Sequence, residues 1–171
     1  QTKLHINSVA NLTNASTDLW KTIRVWSEGI TSGQLDPDNC IFNLITTAAA
    51  STGTIPFKLK QGTNETREVE ELLKSLLEVV ATSDSKTNKA AYAAFIALTN
   101  EQQKKLIKNI SVVDSSIDLN EAKTNIKKCL CYSTAPDKIE ALYQRLEGWF
   151  VGEVILQLQN HRAEITGKDV Q

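Results

Sequence analysis

Gln1-Thr2-Lys3, at the tip of the chain, offers an arrangement of side chains that could do hydrolytic chemistry. Residues 1–6 alternate weakly between polar and apolar and read as the end of a β-strand. On a strand, positions 1 and 3 share a face about 7 Å apart. An amide oxygen beside an ammonium group suits metal-assisted attack on a phosphodiester. The oxygen of Gln1 can ligate Mg²⁺, while the lysine orients a water or neutralises the phosphate as charge builds. On spacing alone the plainer reading is a solvated strand end, because a Gln-x-Lys tripeptide recurs by chance in many chains.

Other chemistries find little support. The sequence contains no GxxxxGK[ST] or GxGxxG phosphate loop, no HExxH and no GxSxG. Its two histidines, His5 and His161, are far apart, which disfavours a histidine zinc site or a Ser-His-Asp triad. The three cysteines are odd in number, and Cys129 and Cys131 stand one residue apart, a spacing that fits neither CxxC nor zinc. A reduced, cytoplasmic chain is the simplest expectation, and the four Asn-x-Ser/Thr sequons then carry no meaning. Glu70 and Glu71 read as an exposed helix face rather than a glycosidase pair.

Composition agrees with a globular chain. Of 171 residues, 41% are hydrophobic and 23% charged, which disfavours both disorder and membrane spanning. The apolar run from Ile41 to Ala50 is broken by Asn43, Thr46 and Thr47 and is too short for a bilayer. A net charge of −1 gives no global pull toward nucleic acid, so any DNA contact needs a local patch. Lys21 and Arg24 form one such candidate, three residues apart on a helix; Lys104, Lys105 and Lys108 read as surface. The chain holds no methionine and is expected to be a piece of a longer protein.

The elements that must position these groups follow from periodicity and caps. After an Asn/Ser/Thr-rich loop, Ser16, Thr17 or Asp18 can cap a helix carrying Leu19, Trp20, Ile23, Val25, Trp26 and Ile30, which stops at Gly33. Trp20 and Trp26 read as core rather than base-stacking groups. Residues 40–47 form a β-rich apolar run, so strand, helix and strand predict a crossover unit of an α/β domain. Residues 48–64 read as a long connection. Beyond them the pattern turns helical: Val69 to Val80 at i, i+3, i+4 spacing, a second helix over 88–98, and a capping box at Thr99–Gln102 opening a third. A short strand at 110–113, a helix over 118–130 and a long helix from Pro136 to Leu158 complete the reading. Gly148, in Glu147-Gly-Trp-Phe150, predicts close helix packing.

The words of this sequence also resemble a known family. Gln1-x-Lys3-Leu4-His5-Ile6, LTNASTDLWKTIRVW (12–26) and FNLITTA (42–48) resemble the DNA endonuclease domain of bacterial anti-phage proteins. That domain is of the PD-(D/E)xK class and is associated with CD-NTase signalling and ABC-three-component defence systems. AYAAFIALTNEQQKKLIKNISVVD (91–114) and LEGWFVGEVILQL (146–158), with ITGKDV after it, resemble later segments of the same family.

The resemblance implies an α/β restriction-endonuclease-like remnant over 1–50, followed by a mainly α-helical accessory module over 51–171, mostly helical overall. It implies a double-stranded DNA substrate and Mg²⁺, with Gln1 at the metal, Lys3 as catalytic lysine, and His5, Lys21 and Arg24 as candidate DNA contacts. Leu4 departs from a histidine pair of the family, and Gln1 replaces a more usual glutamate. The family's metal-binding aspartate belongs to a strand upstream of this motif, so the chain alone is expected to be inactive. The alternative is a non-catalytic binding or assembly module, pairing with copies of itself or with other subunits of a defence complex. No membrane partner is expected.

Overall fold

The computed structural model describes residues 2–3, 10–60, 62 and 66–159. The chain is mostly helical, with small parallel sheets, and divides into two compact units, residues 1–117 and 118–171.

The first unit is built on a three-stranded parallel sheet of order β1 (Thr2–Lys3), β3 (Phe42–Thr46), β5 (Ile110–Val113). Lys3 pairs in register with Thr46, and Ile45 with Val113. A second, two-stranded parallel sheet joins β2 (Asn11–Leu12) to β4 (Ala49–Ala50). In β3, Phe42, Leu44 and Thr46 are buried while Asn43 and Ile45 face outward, so β3 turns one face to the core. The connection from β1 to β3 runs through α1 (Thr17–Thr31), which is the expected crossover.

Helix α1 forms where the sequence indicates, and it buries Leu19, Trp20, Ile23, Trp26 and Ile30. Val25, expected on the same stripe, is 47% exposed. It lies two residues from Ile23, about 200° around the helix, and so off the buried face. Ser16 occupies the N-cap, but its side chain makes no bond to the first turn; its hydroxyl accepts from Thr13 N–H at 2.7 Å instead. Past the helix, Gly33 adopts φ +73°, a conformation that suits glycine at a helix end.

Trp20 fixes α1 to α4 (Lys89–Ile96): its ring meets Tyr92 edge-on at 4.6 Å and Phe95 at 6.0 Å. Its indole N–H donates to Asn14 O at 2.7 Å, and Asn88 Nδ2 donates to Ala15 O at 2.9 Å. Both tryptophans of α1 are therefore core, as read from the sequence. The segment 48–64, expected as a plain connection, contains β4 and a short α2 (Ile55–Lys58). Helices α3 (Val69–Thr82) and α5 (Asn100–Asn109) follow, the latter opened by the Thr99–Gln102 capping box.

The expected division at residue 50 differs from the structure, in which the first unit runs to Ile117. The reason is β5, which returns after α3, α4 and α5 to pair with residues 42–45 of β3. The helices of 55–109 thus lie between two strands of a single sheet.

The second unit contains α6 (Leu119–Leu130), a 3₁₀ turn at Pro136–Lys138 and α7 (Ile139–Leu158). Asp118 caps α6 by accepting from Glu121 N–H at 2.7 Å. Lys127 and Glu140 form an ion pair, and Lys123 and Lys127 lie over the Tyr143 ring at 4.9 and 5.1 Å, so the two helices make an antiparallel hairpin. No helix among the described residues is long and apolar enough to cross a membrane.

Candidate active site

In a parallel sheet all carboxyl ends fall on one edge, and loops there are the usual place for ligands and catalytic groups. Here that edge carries Lys3 at the end of β1, Thr46 at the end of β3, and Asp114 just past β5. Lys3 is placed by its backbone pairing with Thr46. Asp114 stands about 10 Å from β1, two strand spacings across the sheet.

The loops of this edge are stitched together. Ser116 N–H donates to Thr46 O and Ser115 N–H to Ala48 O, both at 3.0 Å. Thr46 Oγ1, fully buried, accepts from Ala48 N–H at 3.1 Å. Asp114 Oδ2 accepts from Ala50 N–H at 2.9 Å, and Oδ1 pairs with Lys60 Nζ at 2.9 Å. Burial pushes the Asp114 carboxyl upward, but the Ala50 N–H and the Lys60 ammonium outweigh it and hold the group below its ordinary value. Ser115 sits at φ +51°, a sparsely populated conformation for a non-glycine residue.

A second polar construction sets where β5 begins. Arg67 Nη1 donates to Ile107 O at 2.7 Å, Ile110 O at 2.8 Å and Lys108 O at 3.1 Å, while Nη2 reaches Lys60 O at 3.4 Å. The guanidinium thereby satisfies carbonyls at the end of α5, where a helix has no partners of its own. Burial pushes Arg67 below its ordinary value, and an arginine still stays charged at neutral pH. Neither Asp114 nor Arg67 stood out in the sequence. Asp114 simply follows an apolar run, and the Nη1 of Arg67 acts on carbonyls 40 or more positions away.

Of the residues singled out from the sequence, Lys3 lies on this edge, whereas Gln1 and His5 fall outside the described residues. Lys21 is exposed on α1, and Arg24, one turn later, is half-buried with its Nε 3.6 Å from Glu28 Oε1. Lys104 and Lys105, expected as surface, pair with Glu70 at 2.6 Å and Asp38 at 2.7 Å. Each lysine is held above its ordinary value, first by the hydrogen bond its ammonium donates to its carboxylate partner. Gly148 was expected to admit a close neighbour; among the described residues, no atom lies within 4 Å of a Cβ built there.

For Mg²⁺ the described residues do not fit. No cluster of three or more His, Cys, Asp or Glu side chains occurs among them, and both oxygens of Asp114 are already engaged. A hard cation needs several free oxygens, which this edge does not offer from Asp114. Comparison with protein-family models, with curated proteins and with solved structures returns no match.

Proposed function

We propose that this chain is part of a metal-dependent endonuclease that cuts double-stranded DNA in anti-phage defence, and that Lys3 is its catalytic lysine. In this reading Lys3 orients a water for in-line attack and offsets charge on the phosphate. The observation that supports it most is the β1–α1–β3 crossover, which sets Lys3 beside Thr46 at the carboxyl edge of a parallel sheet. Lys21 and Arg24 would meet backbone phosphates along α1, contacts that add affinity without sequence preference. Gln1 would assist at the Mg²⁺, as the family resemblance implies.

Plasmid cleavage by the natural protein, with Mg²⁺ or with EDTA, tests the assignment. Metal-dependent nicking should fall at least 100-fold in Lys3→Ala with unchanged DNA affinity. Nicking that survives Lys3→Ala would remove Lys3 from the chemistry. A complete lack of metal-dependent cleavage would favour the rival reading, an assembly module, which the exposed apolar side chains of α7 also favour.

A further inference from the structure

Lys60 reaches the carboxyl edge of the sheet from a position beyond β5. It forms a parallel bridge to Val112, on the side of β5 not taken by β3, and so adds one rung to the sheet. The backbone there is fixed at two points: Leu59 O accepts from Val112 N–H at 2.8 Å, and Lys60 O accepts from Arg67 Nη2 at 3.4 Å. Asp114 lies two residues past Val112, about 7 Å further along the strand direction. The lysine stem covers that distance and brings Nζ within 2.9 Å of Asp114 Oδ1. The Phe57 ring, 4.9 Å from Nζ, gives the ammonium a second fixed neighbour. Much of the rotamer freedom a surface lysine loses on binding is therefore already lost.

Within the ion pair the Asp114 side chain is 11% exposed and that of Lys60 31%, so the lysine is the outer member. Between Lys3 and Lys60 the sheet presents the ends of β3 and β5. Residues 47–54, Thr-Ala-Ala-Ala-Ser-Thr-Gly-Thr, and 115–116, Ser-Ser, carry no charge. Small side chains let a bulky anion come close, and hydroxyl and backbone N–H groups are common phosphate donors. Two lysines thus flank a neutral stretch whose one carboxylate, Asp114, is already engaged by Lys60 and by Ala50 N–H. The stretch is about 10 Å wide from β1 to β5, and phosphates of a DNA strand recur every ~3.4 Å of helix axis. A duplex lying along the edge would bring phosphates about three steps apart to the two lysines.

We propose that Lys60, seated by Asp114, binds a backbone phosphate of the DNA a few nucleotides from the one at Lys3. The substrate rests on the nuclease reading; the role of Lys60 is in binding and not in the chemical step.

Binding of a short labelled duplex to the natural protein in EDTA, between about 50 and 200 mM salt, counts the phosphate contacts. Lys60→Gln should lower the slope of log affinity against log salt by about 0.9 and weaken binding about five-fold near 0.15 M salt. Asp114→Asn removes the partner and keeps the cation, so its slope should match that of the parent. A purely structural ion pair would make the two variants behave alike, because each breaks the same bond. Lys60→Arg should keep the slope, and Lys60→Gln combined with Asp114→Asn, which leaves no carboxylate unpaired, should show the slope of Lys60→Gln. With Mg²⁺ and saturating DNA, Lys60→Gln should cut at the rate of the parent, whereas Lys3→Ala should not. A slope unchanged in Lys60→Gln would overturn the proposal, as would one lowered equally in Asp114→Asn. A parent that binds DNA through Lys60 and never cuts it would overturn the nuclease reading alone, and a parent that binds no DNA would overturn both.

Discussion

Replacing Arg67 tests whether a single side chain sets the junction of α5 and β5. Its Nη1 carries two hydrogens and faces three carbonyls, so the short contacts to Ile107 O (2.7 Å) and Ile110 O (2.8 Å) take the main bonds and Lys108 O (3.1 Å) a share. Hydrogen bonds to a charged group contribute about 1.5–3 kcal/mol each, so two give a gross loss of about 3–6 kcal/mol. Releasing the arginine rotamers returns about 2 kcal/mol, and water reaching the freed carbonyls returns part of the rest. A net cost of about 2–3 kcal/mol is expected for Arg67→Ala, a large share of the 5–15 kcal/mol of an ordinary domain. Arg67→Lys keeps the charge but loses the planar fork, and should cost about half as much. Urea unfolding followed by tryptophan emission, in a Trp149→Phe background, reads the first unit alone through Trp20 and Trp26. An Arg67→Ala variant within ~0.5 kcal/mol of the parent would refute the clamp, since that is the range of inert surface substitutions. So would a lysine that performs as well as the arginine.

Two further expectations concern the same unit. Asp114 is held below its ordinary value, so its stabilisation is complete above about pH 4 and is lost as pH falls through the folded value. Asp114→Asn should cost about 1–3 kcal/mol at pH 7, and the gap to the parent should narrow on acidification through and below the ordinary carboxylate range, read by urea melts across pH; a gap independent of pH would refute the ionised pairing with Lys60. Trp20→Phe removes the indole bond to Asn14 O and part of the contact with Tyr92, and should cost about 2 kcal/mol by thermal melting, against about 3–5 kcal/mol for Trp20→Ala.

How much could be read from the sequence follows the range of the interaction. The Thr99–Gln102 capping box, the helix expected over 118–130 and the inward stripe of Val69–Val80 are set within a few residues, and they stand in the structure, with Leu72, Leu73 and Leu76 buried but Leu77 of the same stripe exposed. The core roles of Trp20 and Trp26 were legible for the same reason, because helical spacing places them among apolar neighbours. The pairing of Asp114 with Ala50 spans 64 positions, and the reach of Arg67 to Ile107 spans 40. No local pattern encodes such contacts. Buried Gln103, whose amide donates to Phe95 O at 2.9 Å to close the end of α4, is hidden likewise, since on a helix facing water it would look the same. For the candidate site, the strand bearing Lys3 and the crossover to β3 were legible, while the partners gathered at the sheet edge were not.

The non-local pairing of β5 also changes what the central helices do. Read along the chain, residues 51–109 look like the first part of an accessory module over 51–171 attached after the α/β portion. In the fold they are a long excursion between β3 and β5, and the bridge between Lys60 and Val112 fastens their entrance to their exit. Arg67 stands just past that entrance and holds the carbonyls at the exit, so the excursion is closed where it meets the sheet. One consequence is that Asp114 reaches the carboxyl edge only if α3 to α5 are packed. A perturbation deep among these helices, such as loss of Phe95 beneath Trp20, should therefore loosen the loops around Thr46 and Ser116 as well. The helices are part of the frame that positions the edge on which Lys3 lies.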